Sequence, residues 1–301
     1  EFRRVLFRSS FSKRIKTGSV VLTEGKPDYQ FKYILQKDKS APLVILYPSI
    51  GEGAGAHHSI VFAKMFYDLG YSVVMQGSHF HWEFTKSMPD GYFPGLPIND
   101  AEKIQMTGKK IIDYLGQKYN CDFKSKTVLG TSFGAMASLF VAERESKNSV
   151  LGIKNFIAIS PPINLIYAIK QLDKNSDEFD KNSDEVKQKT AATAAKILQL
   201  YQMKDTGKLN IETLPFSDEE GKLITTFILR QKLSDLIFTI EKAPKNQKTD
   251  IYEMINNMSY KDYAEKYLGL NFNSENIDED INKQTSLYAL NEYLISNDNY
   301  I

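Results

Sequence analysis

Four short apolar runs, separated by stretches with helical periodicity, constrain the fold of this chain more than any other feature. They span residues 42–48, 71–77, 126–132 and 155–160. The first run, PLVILYP, is continuously apolar, which is typical of a strand buried on both faces of a sheet, and the other three are interpreted as further buried strands. A helical connection between consecutive strands brings those strands together in parallel. The pattern therefore predicts an α/β fold, in which helices cover both faces of a mostly parallel sheet.

Regions on either side of these runs complete the predicted organisation. The β-rich runs 18–24 and 30–36 are joined by the turn-forming stretch GKPDY and predict an opening hairpin. After the fourth apolar run no buried strand follows, and four amphipathic helical runs take its place. We predict an α/β core at 10–162, a helical lid at 163–296 and, at 297–301, the start of a return to the sheet. On this interpretation the last strands of the sheet are missing from the chain.

Two polar stretches have a local interpretation. Asn99 or Asp100 is a suitable cap for the long helix that follows the second buried strand. Residues 173–184 have the acidic spacing of a calcium loop, but Glu178 and Asp184 replace the required glycine and glutamate. We therefore predict a solvated acidic loop there rather than a metal site.

Composition and charge argue against several classes of partner. The formal net charge of the 301 residues is +1, which offers no electrostatic reason to bind nucleic acid or an anionic membrane. Cys121 is the only cysteine, so an intrachain disulfide and a multi-thiolate metal site are excluded. No apolar run approaches the roughly 18 residues of a spanning helix. We expect no integral membrane segment, no metal and no organic cofactor, and no motif indicates a compartment or an oligomeric state.

The first nine residues, EFRRVLFRS, are interpreted separately. They match what a common sequencing adapter encodes in one reading frame, so we treat residues 1–9 as an artefact and exclude them from the fold. Both ends of the natural protein are then expected to be incomplete here, and a secretion signal could be missing.

The motif Gly130-Thr131-Ser132-Phe133-Gly134 carries the chemistry of the chain. It lies where the third buried strand runs into a helix, which is the context of a nucleophile elbow. A serine in such a turn is strained and exposed, and Gly130 and Gly134 leave the room that the turn requires. The amides at the start of the helix would face a developing oxyanion.

Together with the strand and helix order, this motif resembles the α/β-hydrolase superfamily. The likeness covers about residues 18–162, and the helices after the fourth strand match the position of that family's lid. The resemblance implies an oxyanion hole formed by the N–H groups of Phe133 and Ile50, although Pro48-Ser49-Ile50-Gly51 departs from the usual His-Gly-x-Gly. The stretches GYSVVMQGSHFHWEF, VLGTSFGA and ISPPINLIYA look like a little-characterised group of bacterial α/β-hydrolases.

The resemblance also implies a function. It predicts a serine hydrolase that cleaves a small-molecule carboxylic ester, or less readily an amide or thioester, through an acyl-enzyme at Ser132. The family places its acid and histidine after the lid, but every histidine of this chain precedes Ser132. We therefore expect both groups to lie beyond Ile301, and the 301 residues to be nearly inactive. An acyltransferase on the same elbow and a non-catalytic binding protein on this fold remain alternatives.

The loop after the second buried strand contains His79, His81 and Trp82. Ligands bind at the carboxyl edge of such sheets, so these side chains could line the pocket. Two histidines without further clustered ligands are a weak metal signal, and we predict packing or pocket lining for them.

Overall fold

A six-stranded sheet forms the centre of the molecule. The computed structural model describes residues 11–180, 184–205, 216–241, 249–270, 285–287 and 290. Within these residues the strands take the order β1-β2-β4-β3-β5-β6, and their bounds are β1 (Lys16–Val20), β2 (Tyr29–Ile34), β3 (Leu43–Tyr47), β4 (Ser72–Met75), β5 (Lys126–Thr131) and β6 (Asn155–Ile159). β1 and β2 are antiparallel to their neighbours, and β4, β3, β5 and β6 run parallel. The predicted α/β class and the mostly parallel sheet are confirmed.

Four helices connect the strands of the sheet, namely α1 (His57–Asp68), α2 (Trp82–Lys86), α3 (Pro97–Tyr119) and α4 (Phe133–Lys147). Val44 and Leu46 of β3 pack with Ala63 of α1 on one face. Leu43 and Ile45 join the larger core on the other face, which includes residues of α3 and α4. Because successive strand residues point to opposite faces, a strand covered on both sides must be apolar throughout.

Strand β6 differs from its prediction as a fully buried strand. It lies at the edge of the described sheet, and Ile157 and Ile159 are 39% and 38% exposed. Among the described residues no strand pairs with its outer side, and its main packing contacts are with β5 and α4.

The described part of the chain after β6 is helical. Its helices are α5 (Leu165–Asp180), α6 (Asp184–Asp205), α7 (Asp218–Ile240), α8 (Thr249–Asn257) and α9 (Tyr260–Leu268). The third amphipathic run forms two helices because Ser259 starts a new one, with a capping box between Ser259 and Asp262. Most of the fourth run, at 282–296, and the whole of 297–301 lie outside the described residues.

Two local predictions are wrong. α3 begins at Pro97 with Leu96 as its N-cap residue, so neither Asn99 nor Asp100 caps it, and Asp100 is buried within its first turn. The predicted acidic loop is helical as far as Asp180, as part of α5. Asp173 stabilises that arrangement because its carboxylate accepts 2.9 Å hydrogen bonds from the first two amides of α9.

Candidate functional site

Ser132 occupies a strained turn between β5 and α4, called here the Ser132 turn. Its backbone has φ 52° and ψ −121°, and its side chain is exposed. A residue with a Cβ in this region costs on the order of 1–3 kcal/mol, which the surrounding structure must offset. The Ser132 N–H donates a 2.9 Å hydrogen bond to the carbonyl of Ile159, so β6 helps to hold the turn.

The two glycines of the motif are required by backbone crossings. A Cβ on Gly130 would lie 2.3 Å from the carbonyl oxygen of Gly134 and 2.6 Å from Cα of Ala135. A Cβ on Gly134 would lie 2.3 Å from the carbonyl oxygens of both Tyr47 and Pro48, at the end of β3. The start of α4 thus packs backbone to backbone against β3, which only glycine permits.

The predicted oxyanion donors are the main-chain N–H groups of Phe133 and Ile50. Phe133 is the first residue of α4, and the amides of Ala135 and Met136 already donate to the Ser132 carbonyl. The amides of Phe133 and Ile50 have no acceptor within the described residues. Amides at a helix N-terminus carry partial positive charge and favour an anion.

The loop that carries Ile50 follows β3 and closes as a tight turn. The Glu52 N–H donates to the Ser49 carbonyl at 3.2 Å, and Gly51 has φ 63°, which favours glycine. The Gly51 N–H donates to Ser78 Oγ at 3.3 Å. Ile50 itself is half-buried and faces the cavity described next.

A cavity of about 930 Å³ opens beside Ser132. Its lining is largely apolar and is drawn from the loops and from α5, α7 and α9: Ile50, Phe80, Phe133, Pro161, Pro162, Ile163, Leu165, Ile169, Leu172, Leu229, Tyr260, Tyr263 and Leu268. Tyr260 and Tyr263 present their rings to the cavity, because Tyr260 Oη donates to the Leu229 carbonyl and Tyr263 Oη to the Pro94 carbonyl. Lys232 is the only cationic residue among the described lining residues.

His79 is buried against the Ser132 turn, and its ring stacks on that of Phe133 at 4.7 Å between centroids. The Nε2 atom of His79 lies 3.4 Å from Asp100 Oδ2. The Asp100 carboxylate accepts hydrogen bonds from Tyr92 Oη through Oδ1 and from the Gly95 N–H through Oδ2. Burial lowers the pKa of His79 to about 3. Burial raises the pKa of Asp100 to about 7, although its two hydrogen bonds oppose the rise.

His81 and Trp82 lie at the start of α2. His81 caps the helix through Nδ1, which accepts the Glu83 N–H at 3.2 Å. Burial, followed by the charges of Lys232 and Lys86, lowers the pKa of His81 to about 4. From this loop the structure brings Phe80 to the cavity wall, while His79, His81 and Trp82 are not among the lining residues.

None of the four histidines, all of which lie in the described part of the chain, hydrogen-bonds to Ser132. His57 and His58 open α1, where His58 Nε2 lies 2.8 Å from a carboxylate oxygen of Glu52. Across the described ranges no three His, Cys, Asp or Glu side chains form a group that could hold a metal ion. In those same ranges, every helix is too short or too polar to cross a bilayer.

Two charged residues near the site, Asp100 and Lys232, make contacts that the sequence does not indicate. Asp100 has an ordinary helix-start pattern, and nothing in the sequence indicates that its carboxylate is buried beside His79. Lys232 lies in an amphipathic helical run, 182 residues from the Ile50 carbonyl that it contacts. Neither contact has a local sequence signal, because both depend on how distant segments pack.

Comparison with known proteins yields structural likenesses only. No protein-family model matches the chain, and no curated protein matches it. An esterase of Pyrococcus furiosus is 20% identical with a TM-score of 0.38, over 55% of this chain and 60% of that one. A putative α/β-hydrolase of Agrobacterium tumefaciens is also 20% identical with a TM-score of 0.35, over 48% and 60%. Est1E from Butyrivibrio proteoclasticus is 15% identical with a TM-score of 0.35, over 52% and 54%.

The first two of these neighbours are by name an esterase and a putative α/β-hydrolase. The match spans about 60% of the length of the Pyrococcus esterase. Identities and TM-scores of this size carry no inference about activity.

Proposed function

We propose that the protein is a serine hydrolase that cleaves carboxylic esters through an acyl-enzyme at Ser132. The observation that carries the proposal is the Ser132 turn: an exposed serine at φ 52°, at the start of a helix and on the wall of an apolar cavity. Strain of this kind is found at functional sites, where it aims a side chain that regular structure would not.

The proposed chemistry begins with attack of Ser132 Oγ on the acyl carbon while a general base takes the hydroxyl proton, and the product is a tetrahedral oxyanion beside the protonated base, which next serves as the general acid. The amides of Phe133 and Ile50, without acceptors in the described residues, would donate to that oxyanion. Collapse breaks the carbon–oxygen bond to the alcohol, which leaves with a proton from the general acid. Water then attacks the acyl-enzyme and returns Ser132 to its starting state.

The general base is proposed to lie outside residues 1–301, since none of the four histidines hydrogen-bonds to Ser132. The carboxylate that orients the base is proposed to lie there too. The helices after β6 are proposed to act as the lid, because three of them, α5, α7 and α9, supply much of the apolar wall of the cavity beside Ser132. The α/β core would then comprise 10–162 and the lid 163–296.

Hydrolysis of p-nitrophenyl butyrate in the presence and absence of imidazole tests the proposal. Imidazole can supply the missing base, so we expect it to increase turnover by the wild type beyond the rate with Ser132→Ala. Ser160→Ala is the matched control, because Ser160 is also an exposed serine at φ 52°. Equal rates for the wild type and Ser132→Ala would refute a nucleophilic role for Ser132.

Two further outcomes separate the alternatives. Ester formation with an added alcohol at the expense of free acid would identify an acyltransferase on the same site. Rapid Ser132-dependent turnover without imidazole would contradict the placement of the base outside this chain. A protein that binds apolar esters in the cavity without cleaving them under any condition would be a binding protein.

A further inference from the structure

Lys232 connects the helices after β6 to the loop that carries Ile50. It lies on α7, and its Nζ donates a 3.1 Å hydrogen bond to the Ile50 carbonyl. The aliphatic part of its side chain packs over Gly51, where an added Cβ would lie 2.7 Å from Lys232 Cβ. Ammonium and methylene groups therefore both contact the same short loop.

The charge of Lys232 is balanced locally. Its Nζ lies 3.7 Å from Oε1 of Glu52, whose Oε2 is 2.8 Å from Nε2 of His58. Burial lowers the pKa of Lys232, and the Glu52 carboxylate opposes that change. Burial raises the pKa of Glu52, but the hydrogen bond and charge of His58 and the charge of Lys232 outweigh it, and the pKa lies below its usual value.

The peptide unit between Ile50 and Gly51 is held on both sides. Its carbonyl accepts from Lys232, and its N–H donates to Ser78 Oγ at 3.3 Å. The Ser78 N–H in turn donates to the Glu52 carbonyl at 2.7 Å. Because the Ile50 amide is one residue away from this fixed unit, its direction depends on these contacts.

We propose that Lys232 is a positioning residue, which holds the Ile50 amide in the direction needed to stabilise an oxyanion at Ser132. The proposal rests on the function proposed above. It adds that helix α7 contributes to catalysis through the loop, and not only as a cover for the acyl group. Lys232 touches no reacting atom in this account, and its effect passes through the Ile50–Gly51 peptide.

Hydrogen–deuterium exchange tests the link without any need for turnover. In Lys232→Met we expect the amides of Gly51 and Glu52 to exchange about fivefold to tenfold faster. Lys222→Met is the matched control, since Lys222 is an exposed lysine of the same helix. Unchanged exchange in Lys232→Met would overturn the proposal.

Kinetics of Ser132-dependent ester cleavage, measured with imidazole present as above, then separate positioning from substrate binding. We expect Lys232→Met to lower kcat by about 10- to 100-fold and to change KM less than about threefold, a smaller effect than deletion of an oxyanion donor. Lys232→Arg keeps a cationic donor and should recover most of kcat. A raised KM confined to anionic esters would instead identify Lys232 as a substrate contact and overturn the proposal.

The two proposals fail in different ways. If Ser132→Ala has no effect on cleavage, the proposed hydrolase is wrong, whereas the exchange experiment still reports whether Lys232 holds the loop. If cleavage depends on Ser132 but kcat is unchanged in Lys232→Met, only the positioning role is wrong.

Discussion

Replacement of Gly134 by alanine tests the backbone crossing beneath the Ser132 turn. Gly134 is the second residue of α4, and helix propensity alone predicts that alanine would stabilise it by about 0.5–1 kcal/mol. The structure predicts the opposite. The new Cβ would lie 2.3 Å from two carbonyl oxygens, those of Tyr47 and Pro48, against ordinary contacts of 3.4–4 Å.

The size of this destabilisation depends on whether the atoms near the new Cβ can move away. Each contact is short by roughly 1 Å, and both oxygens belong to the main chain at the end of a buried strand, so no side chain can rotate away. Overpacking costs about 1–3 kcal/mol, and two rigid contacts place this site near the upper end. After the helix-propensity gain, we expect Gly134→Ala to lower the free energy of unfolding by about 2 kcal/mol.

The matched control is Gly221→Ala. Gly221 lies in the first turns of α7, and no atom lies within 4 Å of the position that an added Cβ would take, so only the propensity gain of about 0.5–1 kcal/mol applies. Urea unfolding followed by circular dichroism should separate the two variants by about 3 kcal/mol, or about 1 M in midpoint for a slope near 3 kcal/mol/M. A midpoint for Gly134→Ala at or above that of the wild type would refute the crossing.

Two further predictions concern buried carboxylates. Between about pH 4 and 6.5 the folded His79–Asp100 pair holds one proton on Asp100, and the unfolded pair holds one on His79, so the pair adds little pH dependence. In Asp100→Asn only the lowered pKa of His79 remains, and the unfolded state then binds one proton more than the folded state. Urea unfolding should therefore show the free energy of unfolding of this variant falling, relative to wild type, by about 1.4 kcal/mol per pH unit as the pH drops from about 6.5 to 4.5. Parallel profiles for the two proteins would contradict these protonation states. Glu145 is buried and accepts the amides of residues 150–152, so Glu145→Ala should cost about 3–5 kcal/mol in the same assay. Glu143→Ala, which removes an i,i+4 pair with Lys147, should cost less than about 1 kcal/mol, and similar losses for both variants would contradict a stabilising role for the hydrogen bonds that Glu145 accepts.

The sheet was predictable because a strand that is buried on both faces has a recognisable local sequence pattern. β3 is apolar at every position, and its alternate residues enter two different cores, so a strand of this kind is evident from five letters. The Ser132 turn was predictable for a similar reason. The close approach of backbone segments requires glycine at positions 130 and 134, and the spacing of these two glycines is visible in the sequence.

Contacts between distant segments have no such local sequence pattern. Asp100 resembles a helix cap in sequence, yet it lies inside the first turn of α3, where its carboxylate accepts hydrogen bonds from Tyr92 Oη and the Gly95 N–H. Asp173 looks solvated, yet it accepts two amides of α9, 87 and 88 residues further along the chain. A carboxylate can accept hydrogen bonds from the first N–H groups of a helix whether it belongs to a neighbouring residue or to a distant one. The sequence distinguishes these two cases poorly.

The backbone of Ser132 has a consequence for the evolution and engineering of this chain. Glycine adopts φ 52° without strain, so Ser132→Gly would release on the order of 1–3 kcal/mol, less the entropy that glycine loses on folding. Selection for thermal stability alone would therefore favour removal of the hydroxyl. A library of variants screened for folding should accumulate glycine at position 132, and one screened for ester cleavage should retain serine.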